Sequence, residues 1–309
     1  MTCHARSARV STTRRATHRR LARMTVVGNV ITPGNVAVIT GGAGGIGLAV
    51  AEQLIERGMR VVLADINAPK LQATAGRLTE AGADISTFVC DTASEGSVAE
   101  LAEYTLATYG AAHLVFNNAG IAGMGDAWNG PIELWRKVVD INLFGVVHGI
   151  RSFLPIMNEQ SLGHIVSTAS MAGLVAMPGA APYNATKHAV VAISEGLRIE
   201  LESTGSPVGV SVLCPGFVQT DLMDAEPDHV DSPMGELMNE AVASGIAEGM
   251  PANDVATEVV DAVDTNRFWI LTHADMRERP VERMQRAATQ TNPPMPFDEA
   301  DTAPADGQN

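Results

Sequence analysis

The stretch NVAVITGGAGGIGLAVAEQLIERGMRVVLAD, residues 35–65, decides how the rest of the chain is read. A β-branched run (35–40) passes through a glycine cluster into a segment of helical period (45–57), and a second β-branched run (60–65) follows at once. Strand, helix and strand in so few residues make a βαβ unit, which sets two strands parallel in one sheet. The cluster itself, Thr40-Gly41-Gly42-Ala43-Gly44-Gly45-Ile46-Gly47, sits where a strand gives way to a helix. Glycines at that place let the backbone turn sharply and approach a pyrophosphate, whose charge meets the free N–H groups and positive dipole end of the helix. The plainer alternative is an ordinary glycine-rich turn. Asp65 argues against it: it ends the second strand 20 residues after Gly45, where a carboxylate accepts hydrogen bonds from a ribose 2′-hydroxyl. Gly41, Gly45, Ile46, Gly47 and Asp65 are therefore candidate dinucleotide contacts. Asp65 would repel a 2′-phosphate and the loop holds no Lys or Arg to neutralise one, so NAD is expected over NADP.

The same alternation continues outward. Further strands are predicted at 84–90, 112–117, 163–169, 208–214 and 268–272, and further helices at 67–81, 94–109, 131–154, 182–203 and 252–264. Right-handed crossovers then place helices on both faces of a seven-stranded parallel sheet, a three-layer, Rossmann-like, doubly wound α/β fold. The expected division is a basic, unstructured extension over 1–33, one domain over 34–275 and a C-terminal segment over 276–309 that is disordered from about 292, where it turns Pro-rich and acidic.

Composition narrows the function. Hydrophobic residues make up 46% of the 309 and charged ones 18%, enough for a large core and too little charge for a disordered chain. Residues 1–23 hold seven Arg and no acid, which leaves 14 basic against 35 acidic residues, a charge of −21, for the body. A surface that acidic repels phosphate backbones and anionic lipid, so neither nucleic acid nor membrane is an expected partner. The arm has transit-peptide composition, but the expectation is an unstructured extension, with Met24 as an alternative beginning. Cys3, Cys90 and Cys214 form neither a disulfide framework nor a metal knuckle, no metal site is expected, and a reducing, cytoplasmic compartment fits best.

Tyr183-Asn184-Ala185-Thr186-Lys187 opens a predicted helix, where side chains at i and i+4 share a face. A free phenol, with a pKa of ~10, is a poor base at neutral pH, and a nearby cation lowers it. A Tyr so tuned exchanges a proton with an alcohol or carbonyl oxygen. The alternative is a solvent-facing polar pair.

With these motifs in order, TGGAGGIG (40–47), Asp91 after the third strand, NNAG (117–120), Asn142 in DINLFG, Ser170 in HIVSTAS, YNATK (183–187) and PGFVQT (215–220), the chain resembles the short-chain dehydrogenase/reductase family over residues 33–275. The resemblance implies an NAD(P)-dependent oxidoreductase acting on a secondary alcohol or ketone, and a homotetramer or homodimer. It implies that Ser170 binds the substrate oxygen, Tyr183 is the general acid/base, Lys187 binds the nicotinamide ribose and lowers the Tyr183 pKa, and Asn142 holds a water linking Lys187 to solvent. Asp91 would meet the adenine, Asn118 would shape the sheet edge under the cofactor, and Pro215, Val218 and Thr220 would pack on the nicotinamide. Ser167 and Thr168 rival Ser170, and the family's usual spacing of 13 residues before Tyr183 favours Ser170. The segment after Thr220 would be a mobile lid, with Met223, Met234 and Met238 facing an apolar ligand or simply packing down as a surface helix. An NAD-binding regulator without catalysis is the other class; it would need the glycine loop but not Ser170, Tyr183, Lys187 and Asn142.

Overall fold

The computed structural model describes residues 28–223 and 233–294. The first half of the sheet is built by β1 (Val36–Thr40), α1 (Gly45–Glu56), β2 (Arg60–Asp65), α2 (Ala68–Glu80), β3 (Ile85–Val89), α3 (Glu95–Tyr109) and β4 (Leu114–Asn117). Then follow α4 (Ile132–Val139), α5 (Gly145–Glu159), β5 (Gly163–Thr168), α6 (Ala181–Thr204), β6 (Val208–Leu213) and β7 (Val218–Gln219). The chain closes with α7 (Pro233–Ala247), β8 (Met250–Pro251), α8 (Ala252–Asp264), β9 (Trp269–Ile270) and α9 (Glu278–Thr289).

Seven strands form one sheet in the order β3-β2-β1-β4-β5-β6-β9, every pair parallel. β1 shows why its sequence is apolar throughout. Ala37 and Ile39 pack with Leu54 of α1, Leu71 of α2 and Val259 of α8, while Val36 and Val38 pack with Leu101 of α3, Phe153 of α5 and Leu197 of α6. A strand covered on both faces has no polar side to show, and each such side chain contributes ~1.5–3 kcal/mol by leaving water. The fold is thus the three-layer, doubly wound Rossmann-like α/β arrangement that the sequence predicts. Because β1 lies between β2 and β4, successive crossovers diverge there and open a crevice at the carboxyl ends of the strands.

Several features depart from the sequence reading. The single helix expected over 131–154 is two helices joined by a π-helical turn, Asp140–Phe144. A one-residue widening of the helical turn leaves the apolar period almost intact, so a periodicity argument passes over it. β7 and β8 form a separate two-stranded sheet, with Val218 opposite Met250, beneath α7. Helix α9 falls in a segment where the sequence predicts no element; its short apolar row, Val281 and Met284, stays exposed among charged neighbours and none of its residues is buried. Two anchors to backbone carbonyls hold it, Arg277 Nη2 at its N-cap to Leu271 O at 2.8 Å and Arg283 Nη1 at its middle to Leu174 O at 3.0 Å. The basic arm, the Pro-rich tail from 295 and the side chain of Met234 lie outside the described residues. Among the described residues no helix is long and apolar enough to cross a membrane, and no group of His, Cys, Asp and Glu is arranged to hold a metal.

Candidate active site

The glycine loop is shaped by what its residues lack. Gly41 and Gly45 have φ of 64° and 53°, in the left-handed region that costs other residues strain. A Cβ on Gly47 would lie 2.3 Å from the Gly41 carbonyl oxygen, so only hydrogen lets α1 begin this close to β1. The N-cap of α1, Gly44, has no side chain to satisfy the first-turn N–H groups, which leaves them for an anion. Asn118 braces the loop from β4, donating from Nδ2 to Thr40 O at 3.2 Å and accepting from Thr168 Oγ1 at 3.2 Å. Asp65 closes it from β2: its carboxylate accepts from the Ala43 amide at 3.1 Å and the Asn67 amide at 2.9 Å.

The second cluster stands on α6 and the end of β5. Lys187 is 3% exposed; its ammonium donates to Thr168 O at 2.8 Å and lies 5.5 Å from the centre of the Tyr183 ring. The i, i+4 spacing on α6 brings the two together. Ser170 caps a short 3₁₀ turn, accepting from the Ala172 amide at 3.1 Å and donating to Pro215 O at 3.5 Å, and its hydroxyl lines the cavity with the Tyr183 phenol. Its rivals are less well placed: Ser167 is 1% exposed and does not line the cavity, and Thr168 gives its hydroxyl to Asn118. Burial raises the Tyr183 phenol above its ordinary pKa and the Ser170 hydroxyl pulls it back. Burial also drives the Lys187 ammonium down to about 8, and it pushes the neighbouring Cys214 thiol up to about 12, which makes that cysteine inert.

Both clusters open into one cavity of about 650 Å³. Of the sequence-predicted residues, Gly41, Gly45, Ile46, Asp65, Asn118, Ser170, Tyr183, Lys187, Pro215, Val218 and Thr220 line it. Gly47, Asn142 and Asp91 do not. Gly47 packs beneath the loop. Asn142, wholly buried on the π turn, accepts from the Ile121 amide and donates to the Ile121 carbonyl, both at 2.9 Å, and so fixes the strand extension that carries Gly120. Asp91 is exposed at the end of β3, where it accepts from the Ala93 amide at 3.0 Å.

Four contributors escape sequence reasoning. Lys70, on the first turn of α2, reaches over Gly44 and pairs with Asp221, just past Thr220. A cation thus stands beside a loop that contains none of its own. His273 ties the end of β9 to the 215–217 wall: its Nδ1 accepts from the Gly216 amide at 3.0 Å, and its Nε2 lies 3.0 Å from Phe217 O. Met276 and Arg279 enter the cavity wall from the C-terminal segment. Nothing local marks these four, since each meets the cavity or, for His273, its 215–217 wall only through chain packing.

The family model described as short chain dehydrogenase matches residues 35–231. The chain is 34% identical over 270 residues to a "CLA biosynthesis dehydrogenase/reductase" of Lactiplantibacillus plantarum, covering 84% of this chain and 94% of that one. It is 36% identical over 248 residues to a "1-deoxy-11-beta-hydroxypentalenate dehydrogenase" of Streptomyces avermitilis, covering 79% and 87%. A short-chain dehydrogenase/reductase from Burkholderia phymatum, solved in complex with NAD, superposes with a TM-score of 0.83 at 38% identity and covers 86% of this chain and 98% of its own.

Proposed function

The chain belongs to the short-chain dehydrogenase family, a family of oxidoreductases, and from that premise we propose that it interconverts a secondary alcohol and its ketone with NAD, by proton transfer through Tyr183. The observation that carries this reading is the single cavity that joins the glycine loop to Ser170, Tyr183 and Lys187. The loop's bare amides at α1, the room left by Gly41 and Gly45, and the Asp65 carboxylate fit a dinucleotide. When bound, the nicotinamide supplies the hydride acceptor or donor and, oxidised, a positive charge.

The chain's own residues supply the rest. Ser170 donates to the substrate oxygen and fixes it beside the phenol. Tyr183 takes the hydroxyl proton during oxidation and returns it during reduction. A phenol raised by burial needs positive charge nearby to give up its proton, and Lys187 provides one from beneath the ring. Asn142 acts on the site through the backbone of Ile121. Asp65 favours NAD by repelling a 2′-phosphate; Lys70, held by Asp221, softens that preference. The apolar lining suits an apolar substrate, the exposed Ile132, Phe144 and Ile199 suit burial in a homotetramer or homodimer, and the free, buried thiols of Cys90 and Cys214 suit the reducing cytoplasm.

A regulator that only binds NAD has no use for a lysine that is 3% exposed, since removing an ammonium from water costs several kcal/mol. The test is a screen of secondary alcohols, sterols and cyclic alcohols among them, with NAD, read as NADH absorbance. Turnover of none, with NAD binding intact, would favour the regulator.

A further inference from the structure

We infer that Arg279 is an anion-binding residue of the substrate pocket, and that the preferred substrates are amphipathic oxo or hydroxy acids whose carboxylate pairs with its guanidinium. This inference rests on the reading of the cavity as a substrate site.

The charges lining the cavity are unevenly placed. Asp65, Lys70 and Asp221 cluster at the glycine loop, and Lys187 is buried under Tyr183. Away from those, the wall is built from apolar side chains such as Met124, Met171, Val175, Met177, Phe217 and Ile246, and Arg279 is the one further charged residue in it among the described residues. An apolar chamber with a single cation at its rim matches a ligand with an apolar body and one anionic end.

Two observations separate Arg279 from an ordinary surface arginine. First, it makes no ion pair or hydrogen bond among the described residues, whereas every other described arginine is paired with a carboxylate or a carbonyl. The acid best placed on its own helix, Glu282 at i+3, is engaged with Arg286 at 3.7 Å. Secondly, its position is built. Arg277 and Arg283 anchor α9 to Leu271 O and Leu174 O, and His273 grips the Gly216 amide while Met276 packs on Gly216. These contacts set the 273–283 stretch, with the start of α9, beside the two stretches, 175–177 and 215–217, that wall the cavity with Ser170 and Tyr183. A guanidinium presents a planar fork that a carboxylate accepts in two parallel hydrogen bonds.

The test uses the full chain, with and without saturating NADH, titrated calorimetrically with decanoate, decan-1-ol and decyltrimethylammonium. Decanoate should bind about tenfold more tightly than the alcohol, the worth of one charge-assisted hydrogen bond, and the cation most weakly. Arg279→Glu should reverse that order and Arg279→Lys should keep part of the preference for decanoate. Arg286→Glu, on the same helix but away from the cavity, should leave it unchanged. On oxo fatty acids and their methyl esters, the Arg279→Glu change should raise KM for the acid about tenfold relative to KM for the ester. Equal binding of decanoate and decanol, or a preference for decanoate that survives Arg279→Glu, would overturn the inference. The titration without NADH needs no cofactor, so a failure to bind NADH would refute the dinucleotide reading while the decanoate and decanol affinities still decide the role of Arg279.

Discussion

Acid should destabilise this protein, and among the described histidines His164 contributes most. His164 on β5 is wholly buried, and its Nε2 lies 2.8 Å from Ser211 Oγ. Ser211 gives its own proton to Arg267 O at 2.6 Å, so the hydroxyl oxygen can only accept from the ring, and His164 must be neutral with its proton on Nε2. A second proton would go to Nδ1, which has no hydrogen-bond partner and stands where a Cβ on Gly209 would come within 2.3 Å. Burial, reinforced by the Arg198 cation, accordingly lowers the His164 pKa to about 3. In the unfolded chain it titrates near the ordinary ~6.5. Above that value both states are neutral and the contribution to stability is complete. As pH falls through ~6.5 the unfolded chain gains a proton that the folded one refuses, and stability drops until about pH 3. At pH 5 the difference is ~1.5 pH units, or ~2 kcal/mol, which for a domain of this size moves Tm by ~4–8 °C. The assay is chemical and thermal denaturation at pH 7 and pH 5 for the unaltered chain and for His164→Gln, which retains an N–H for Ser211 but cannot titrate. Each protein serves as its own reference at pH 7, so the packing cost of the substitution cancels. Equal losses between pH 7 and pH 5 in the two proteins would refute the reasoning.

Replacing Tyr183 by Phe should lower turnover by ~10² to 10⁴ while NAD affinity, measured by calorimetry, survives; Lys187→Ala should damage both and move the alkaline limb of the rate profile upward in pH. Gly47→Ala forces a Cβ to within 2.3 Å of the Gly41 oxygen and should cost ~1–3 kcal/mol of stability together with NAD affinity, whereas Gly76→Ala, exposed on α2 with nothing within 4 Å, should stabilise by ~0.5–1 kcal/mol; thermal melts of the pair check both. Asp65→Ser should raise the relative use of NADP in cofactor titrations, and, since Asp65 also holds two backbone amides, should lower Tm as well. Light scattering at micromolar concentration should give the mass of a tetramer or dimer, and a monomer would contradict the burial proposed for Ile132, Phe144 and Ile199.

The sequence by itself determined the layered sheet, because strands covered on both faces, β1 and β2 above all, read as near-continuous apolar runs even where β4 through β6 admit a buried Asn117, His164, Ser167 or Ser211, and because helices and strands of different period alternate. It also located the loop and the Tyr183–Lys187 pair, whose partners lie within one turn of chain and so leave a local spacing to read. What it did not hold were meetings between distant segments. That Asn142 clasps Ile121 depends on a π turn that apolar period does not register. That Lys70 stands over Gly44 depends on α2 and the 220–221 stretch converging on the same helix end. That Arg279 reaches the cavity depends on a helix with no buried residue, anchored by Arg277 and Arg283 to carbonyls 6 and 109 residues away. Local pattern records which face of an element is dry, and only the packed chain decides which charges end up facing the same space.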